Sequence, residues 1–324
     1  GLALGPVRLP PGAVAVELLN QLPYVQWDSG LTARETAIVT QLRLPRVVLG
    51  LLVGATLAVA GGCYQGVFRN PLADPYFLGV SAGAGLGATV AIISSASEAS
   101  GSGGTSITVP PAAFVGALGA VALTYALGAV GARSRSPATL LLAGIAVTAF
   151  LTAAQTFLQQ HHIHAIREVY SWLLGRLATA GWHDVLLLLP YSVVSIGAML
   201  LARRTLDVLA VGDTEATSLG MNPRRVRYLL LVTASLGTAA AVSVSGLIGF
   251  VGIIVPHLVR LLFGTAYRVI LPLSALLGAA FLATADLAAR TVLSPAEIPI
   301  GVVTALAGAP FFVLVLRTTR RVSM

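Results

Sequence analysis

Long blocks of apolar residues, separated by short polar breaks, dominate the chain. Blocks near 43–67, 77–96, 110–132, 138–160, 183–202, 226–245, 246–264, 271–290 and 298–317 each approach or exceed the ~20 residues that carry a helix across a bilayer core. The pattern predicts nine membrane-spanning helices. The ten-residue alternation of a membrane barrel is absent, and helices satisfy their backbone groups internally. One stretch, HHIHAIREVYSWLLGRLATAGW from His161 to Trp182, is too interrupted to span and too apolar to be a plain loop. It is expected to lie in the interface or to re-enter, with Trp172 and Trp182 at headgroup depth.

The polar breaks give the chain a direction. Arg69, Arg133, Arg135, Arg203, Arg204, Arg224, Arg225, Arg227, Arg260, Arg268, Arg317, Arg320 and Arg321 fall on one side of the predicted membrane, 13 of 20 basic residues. Positive residues concentrate on cytoplasmic loops, so that side is read as cytoplasmic. The Ser- and Gly-rich stretch Ser95–Thr108 is then an external, flexible connection without a site of its own. The break GDTEATSLGMNPRRVR, Gly212 to Arg227, is cytoplasmic. Asp213 or Thr214 can cap a short helix there, Glu215 suits its first turn, and Gly220 followed by Pro223 ends it.

Composition sharpens this picture. Hydrophobic residues make up 56% and charged residues 10% of the chain, against roughly 25% charged in soluble proteins. All 20 basic residues are arginines. A nucleotide-binding P-loop requires a lysine, so any ATP that drives this chain is expected on another polypeptide. The net charge of +8 follows membrane sidedness and gives no sign of nucleic-acid binding. The single cysteine, Cys63, lies in an apolar block and reads as a packing residue. No catalytic constellation stands out, and the chain is expected to perform no bond chemistry.

Other polar and small residues admit two readings each. Gly246, Gly249 and Gly252, followed by Pro256, either pack statically or allow a helix to bend. Arg43, Arg46 and Arg290 sit at outer helix ends, where they either snorkel to headgroups or dock an acidic partner. His161, His162 and His164 cluster at a helix end without metal-site spacing and read first as interfacial polar residues. Asp286 and Arg290, four apart on one helix, suit a structural ion pair, and Glu297, between Pro295 and Pro299, suits orientation of the last helix.

The segments RLPRVVLGLLVGATLAVAGGCYQGVFRNPLADPYFLGVSAGAGLGA, LLLAGIAV, REVYSWLLGRL, GDTEATSLGMN, GLIGFVGIIVPHLVRLL, ADLAAR and AEIPIGVVTALAGAPFF resemble, in content and order, the FecCD family. Its members are permeases of type II ABC importers for ferric siderophores, haem and cobalamin. The resemblance covers residues 42–317. It implies a single all-α permease domain of ten helices, and the opening GLALGPVRLPP, similar to the end of the family's first helix, leads to the expectation that this helix is missing from the chain. It further implies a second permease subunit, most simply a homodimer, two cytoplasmic ATPase subunits holding ATP and Mg, an external binding protein, and a place in the cytoplasmic membrane.

Residue roles follow from the same resemblance. Asp213, Thr214, Glu215, Ala216, Ser218, Leu219 and Gly220 match the ATPase-contacting coupling helix. Arg43, Arg46 and Arg290 match external docking arginines, which raises docking above snorkelling. The external short helix about 165–176, with Trp172 and Arg176, and the run Gly246, Gly249, Gly252 and Pro256 match borders of the translocation path. A ferric siderophore is the first expectation for the cargo, haem the second, where His161, His162 and His164 would gain a ligand contact, and cobalamin the third. An ion-coupled carrier is a more distant alternative, for which Asp286 would be the strongest intramembrane candidate.

Overall fold

The computed structural model describes residues 2–5, 7, 9–21, 27–99, 108–129 and 137–322. Most of the external Ser/Gly connection expected over Ser95–Thr108, together with Arg133 and Arg135, lies outside the described residues. Those residues form helices α1 (Pro11–Leu19), α2 (Ala33–Ala37), α3 (Leu44–Phe68), α4 (Val80–Ala99), α5 (Val109–Ala129), α6 (Pro137–His161) and α7 (Ile166–Leu173). The second half gives α8 (Trp182–Leu201), α9 (Arg203–Val211), α10 (Asp213–Ser218), α11 (Pro223–Ser245), α12 (Val251–Phe263), α13 (Tyr267–Thr291) and α14 (Ile300–Val322). No strand occurs among the described residues, so the all-α expectation holds.

Among the described residues, six stretches are long and apolar enough to cross a membrane: Ala33–Phe68, Val109–Gly128, Ala138–His161, Trp182–Leu201, Pro223–Ser245 and Tyr267–Thr291. Three shorter apolar helices, Val80–Ala96, Val251–Phe263 and Ile300–Phe311, fall at the remaining positions. The protein is therefore a multi-pass membrane protein. One expectation needs correction. The block 246–264 is not one helix, because residues Gly246–Phe250 are non-helical and only α12 follows them.

α3 is the hub of the bundle, packed most extensively against α13 and also against α11, α8 and α12. Its small residues explain the closeness. A Cβ on Gly61 would sit 2.0 Å from the Gly252 carbonyl oxygen, and one on Gly54 would sit 2.2 Å from that of Gly278. Only a residue without a side chain lets the backbones meet there, and in lipid such contact replaces the hydrophobic effect as the glue. Buried hydroxyls add to it: Tyr64 OH lies 2.6 Å from Ser235 Oγ, and Thr56 Oγ1 donates to Leu52 O and meets Ser192 Oγ. By contrast, α6 and α8 leave Leu142, Ile145, Phe150, Phe157, Leu186 and Val193 exposed, as a lipid-facing or subunit-facing surface requires.

Candidate functional site

At the arginine-rich end, α10 packs against α9 and α11 and leaves most of its side chains open. Asp213, Thr214, Glu215, Ser218, Leu219 and Gly220 are exposed and Ala216 is buried; Leu219, an apolar residue, is 73% exposed. The helix is closed by paired C-terminal bonds, Met221 N–H to Ala216 O at 3.0 Å and Gly220 N–H to Thr217 O at 2.9 Å, with Gly220 in the left-handed conformation at φ +80°. Gly220 ends the helix as its sequence predicts. Asn222 then caps α11 by accepting from Arg225 N at 3.1 Å.

The N-terminus departs from expectation. Neither Asp213 nor Thr214 caps α10; the capping position is Gly212, which has no side chain to offer. Asp213 turns instead to two arginines. Arg227 grips both of its oxygens, with Nη1 to Oδ2 at 2.7 Å, and Arg69 donates to Oδ1. A two-pronged guanidinium pair is stronger than a neutral N–H bond at an exposed helix end. The hydrogen bonds from Arg227, the largest influence, hold the Asp213 carboxyl below its usual range. Sequence reasoning used Arg69 and Arg227 only as markers of sidedness, and it missed α9, whose Leu206 and Leu209, three apart, are both buried.

Deeper in the bundle is the break. Gly246 is in a left-handed conformation at φ +71°, and so is Phe250 at φ +69°. A Cβ on Gly246 would lie 2.3 Å from Trp172 O, so the turn after α7 presses directly on the break. Arg176 N–H donates to Ser245 O at 2.6 Å, and Gly301 N–H to Leu174 O at 2.9 Å, which ties this turn to α11 and α14. Tyr76, in a short 3₁₀ turn before α4, meets both backbone groups of one residue of the break: its hydroxyl donates to Ile248 O at 3.0 Å and accepts from Ile248 N–H at 3.2 Å. Backbone groups that leave a helix inside an apolar bundle are costly unless they are met in this way.

Of the residues expected to border a path, the structure thus brings Trp172 and Gly246 together. Trp172 is buried and Arg176 exposed, with its Nε donating to Thr179 Oγ1 at 2.8 Å. Gly249 has no atom within 4 Å of its would-be Cβ, so it faces open space, whereas Gly252 and Pro256 pack against α3. Gln65 in α3 donates to Gly252 O at 3.0 Å and accepts from Arg260 Nη2 at 2.9 Å. A buried glutamine in an apolar block was a legible signal that sequence reasoning did not use.

At the opposite end of the bundle from α10, Arg46 joins two carboxylates, with Nη2 2.8 Å from Asp286 Oδ1 and 3.0 Å from Glu297 Oε2. The i,i+4 pair forms more loosely, Arg290 Nε lying 3.4 Å from Asp286 Oδ2. Glu297, three residues before α14, thus reaches back to Arg46 near the start of α3. Arg43 corrects the expectation of an outward-facing guanidinium. It is buried, and it donates to the carbonyls of Leu2, at 2.7 Å, and Val7, anchoring the N-terminal segment. Arg290 is buried too, so among the three arginines only Arg46, beside Glu297, approaches the surface.

His161, His162 and His164 are all exposed. The first two spend Nδ1 on the carbonyls of Phe157 and Leu158, each at 3.0 Å. No group of three or more metal-ligating side chains occurs among the described residues.

The described residues thus form a multi-pass helical bundle with a non-helical break between α11 and α12 and a short exposed helix at its arginine-rich end. Residues 1–318 match the FecCD transport family, and the chain belongs to it. The chain is 46% identical to the cobalamin import system permease protein BtuC of Halobacterium salinarum, over 89% of this chain and 75% of that protein. It is 38% identical to the Fe(3+)-citrate import system permease protein YfmD of Bacillus subtilis, over 97% and 91% of the two chains. Among solved structures, one titled as an inward-facing conformation of a putative metal-chelate type ABC transporter matches with a TM-score of 0.79 and 29% identity, covering 94% of this chain and 96% of that one. This protein is a permease subunit of the ABC-importer type, a non-catalytic class.

Proposed function

We propose that this permease carries a metal chelate across the cytoplasmic membrane in an assembly with a second permease subunit, two cytoplasmic ATPase subunits that hold ATP and Mg, and an external binding protein. The observation that carries the reading is α10: a closed, six-residue helix with an exposed leucine next to it, held out on the basic side of the bundle. A short helix that leaves most of its side chains, and the apolar leucine beside them, open at the surface offers a face for another protein. An ion-coupled carrier would need a free ionisable group at membrane depth, and Asp286 is committed to Arg46 and Arg290.

For the cargo, a ferric chelate agrees with the similarity to a ferric-citrate permease, and a corrinoid is the second reading, supported by the 46% identity to a cobalamin permease. The test is uptake into liposomes containing this permease with its ATPase and binding protein, offered labelled ferric siderophore, ferric citrate, haemin and cyanocobalamin. ATP-dependent accumulation of one chelate supports the proposal and names the cargo. Uptake that follows an ion gradient and ignores ATP would overturn it.

A further inference from the structure

We propose that Asp213 is a positioning residue whose carboxylate, clamped between Arg69 and Arg227, fixes α10 to α3 and α11, so that motion passes between the contact helix and the helices that border the break. The proposal rests on the reading of α10 as the ATPase contact. Arg69 is the left-handed capping residue that follows α3, at φ +49°. Its Nε donates to Leu209 O of α9 at 2.9 Å while Nη2 reaches Asp213, so one side chain holds both cytoplasmic helices. Arg227 approaches from α11 and takes both carboxylate oxygens.

Geometry makes the pair of arginines a strut. α10 has six residues, and its one buried side chain is that of Ala216. Apolar packing of a single methyl group cannot set the helix's angle, whereas two charged partners, one beside α3 and one on α11, can. α3 touches Gly252 through Gly61 and Gln65, and α11 runs into Gly246. Asp213 therefore closes a chain of contacts from the exposed helix to both sides of the break. Neutralising it would leave two guanidiniums facing each other with no anion between them.

The test uses the full chain with Cys63→Ala and spin labels at Ser218 and Leu293, both exposed, in lipid nanodiscs. The distance distribution is expected to be narrow with Asp213 in place, to broaden in Asp213→Asn and to narrow again in Asp213→Glu. With the ATPase and binding protein added, Asp213→Asn is expected to raise the ATP used per molecule transported at least about five-fold, and Asp213→Glu to bring it back. An unchanged distribution in Asp213→Asn would overturn the clamp. Loss of ATPase binding with a narrow distribution would make Asp213 a contact residue and overturn it as well. If the protein with Asp213 binds no ATPase at all, the reading of α10 fails and the transmission role with it, while the spin-label widths still report whether the clamp exists.

Discussion

The hydroxyl of Tyr76 meets both backbone groups of one residue, Ile248, giving a hydrogen bond to its carbonyl and taking one from its amide. One side chain thereby stands in for two lost helix bonds. Tyr76→Phe keeps the ring and strands both backbone groups, at about 1–3 kcal/mol for an unmet buried polar group. Unfolding of the detergent-solubilised protein should show a loss of that size. Equal stability of the two forms would mean that water meets Ile248 instead.

Asp74 caps the same 3₁₀ turn by accepting from Tyr76 N at 2.8 Å. Burial pushes its carboxyl up to about 6. A raised value means that the folded state holds the proton more tightly than the unfolded state. Stability from this group is therefore full below the ordinary carboxylate value and declines as pH rises to about 6. The total is at most about 3 kcal/mol. Asp74→Asn keeps the cap and should remove that slope, measured as thermal midpoint against pH from 4 to 8.

The outer ion cluster separates a buried pair from an exposed one. Asp286→Asn leaves the guanidiniums of Arg46 and Arg290 in the interior without their shared anion and should cost about 3–5 kcal/mol. Glu297→Gln removes a partner that is one-third exposed and should cost less than about 1 kcal/mol. Equal losses in denaturant titrations would show that the cluster is wetter than its geometry indicates.

Proline substitutions in α10 should depend on position. Glu215 is the third residue of the helix, where backbone N–H groups have no partner within the helix, so Glu215→Pro should be tolerated. Thr217 lies beyond that turn, and a proline ring there clashes with the Asp213 carbonyl, which already accepts the Thr217 hydroxyl at 2.7 Å. Thr217→Pro should disrupt the helix and at least halve ATP-driven uptake with the bundle intact, whereas Glu215→Pro should transport normally. Normal uptake in both variants would separate α10 from coupling.

The spans were legible because hydrocarbon imposes a length and a polarity on each, and the C-terminal stop of α10 was legible because glycine and proline act locally. The break was not. GLIGFVGIIVP is apolar throughout, and nothing in that run records that a tyrosine some 170 residues earlier will bond its backbone. The roles of Asp213, Arg69 and Arg227 were hidden for a related reason. Each has a sufficient local explanation, as a cap or a topological anchor, and only folding discloses that all three meet. Arg43 read as outward-facing because it stands at a helix end, yet the preceding segment folds over it.

The position of α3 at the hub bears on how the protein is made. Its glycine-lined face is completed by α11, α12 and α13, which follow it in the chain by some 150 to 220 residues. During synthesis α3 must enter the bilayer and wait, with narrow grooves facing lipid, until the last third of the chain has emerged. A larger side chain at Gly54 or Gly61 would therefore do its damage late, when the Gly278 and Gly252 backbones arrive and find their places against α3 taken.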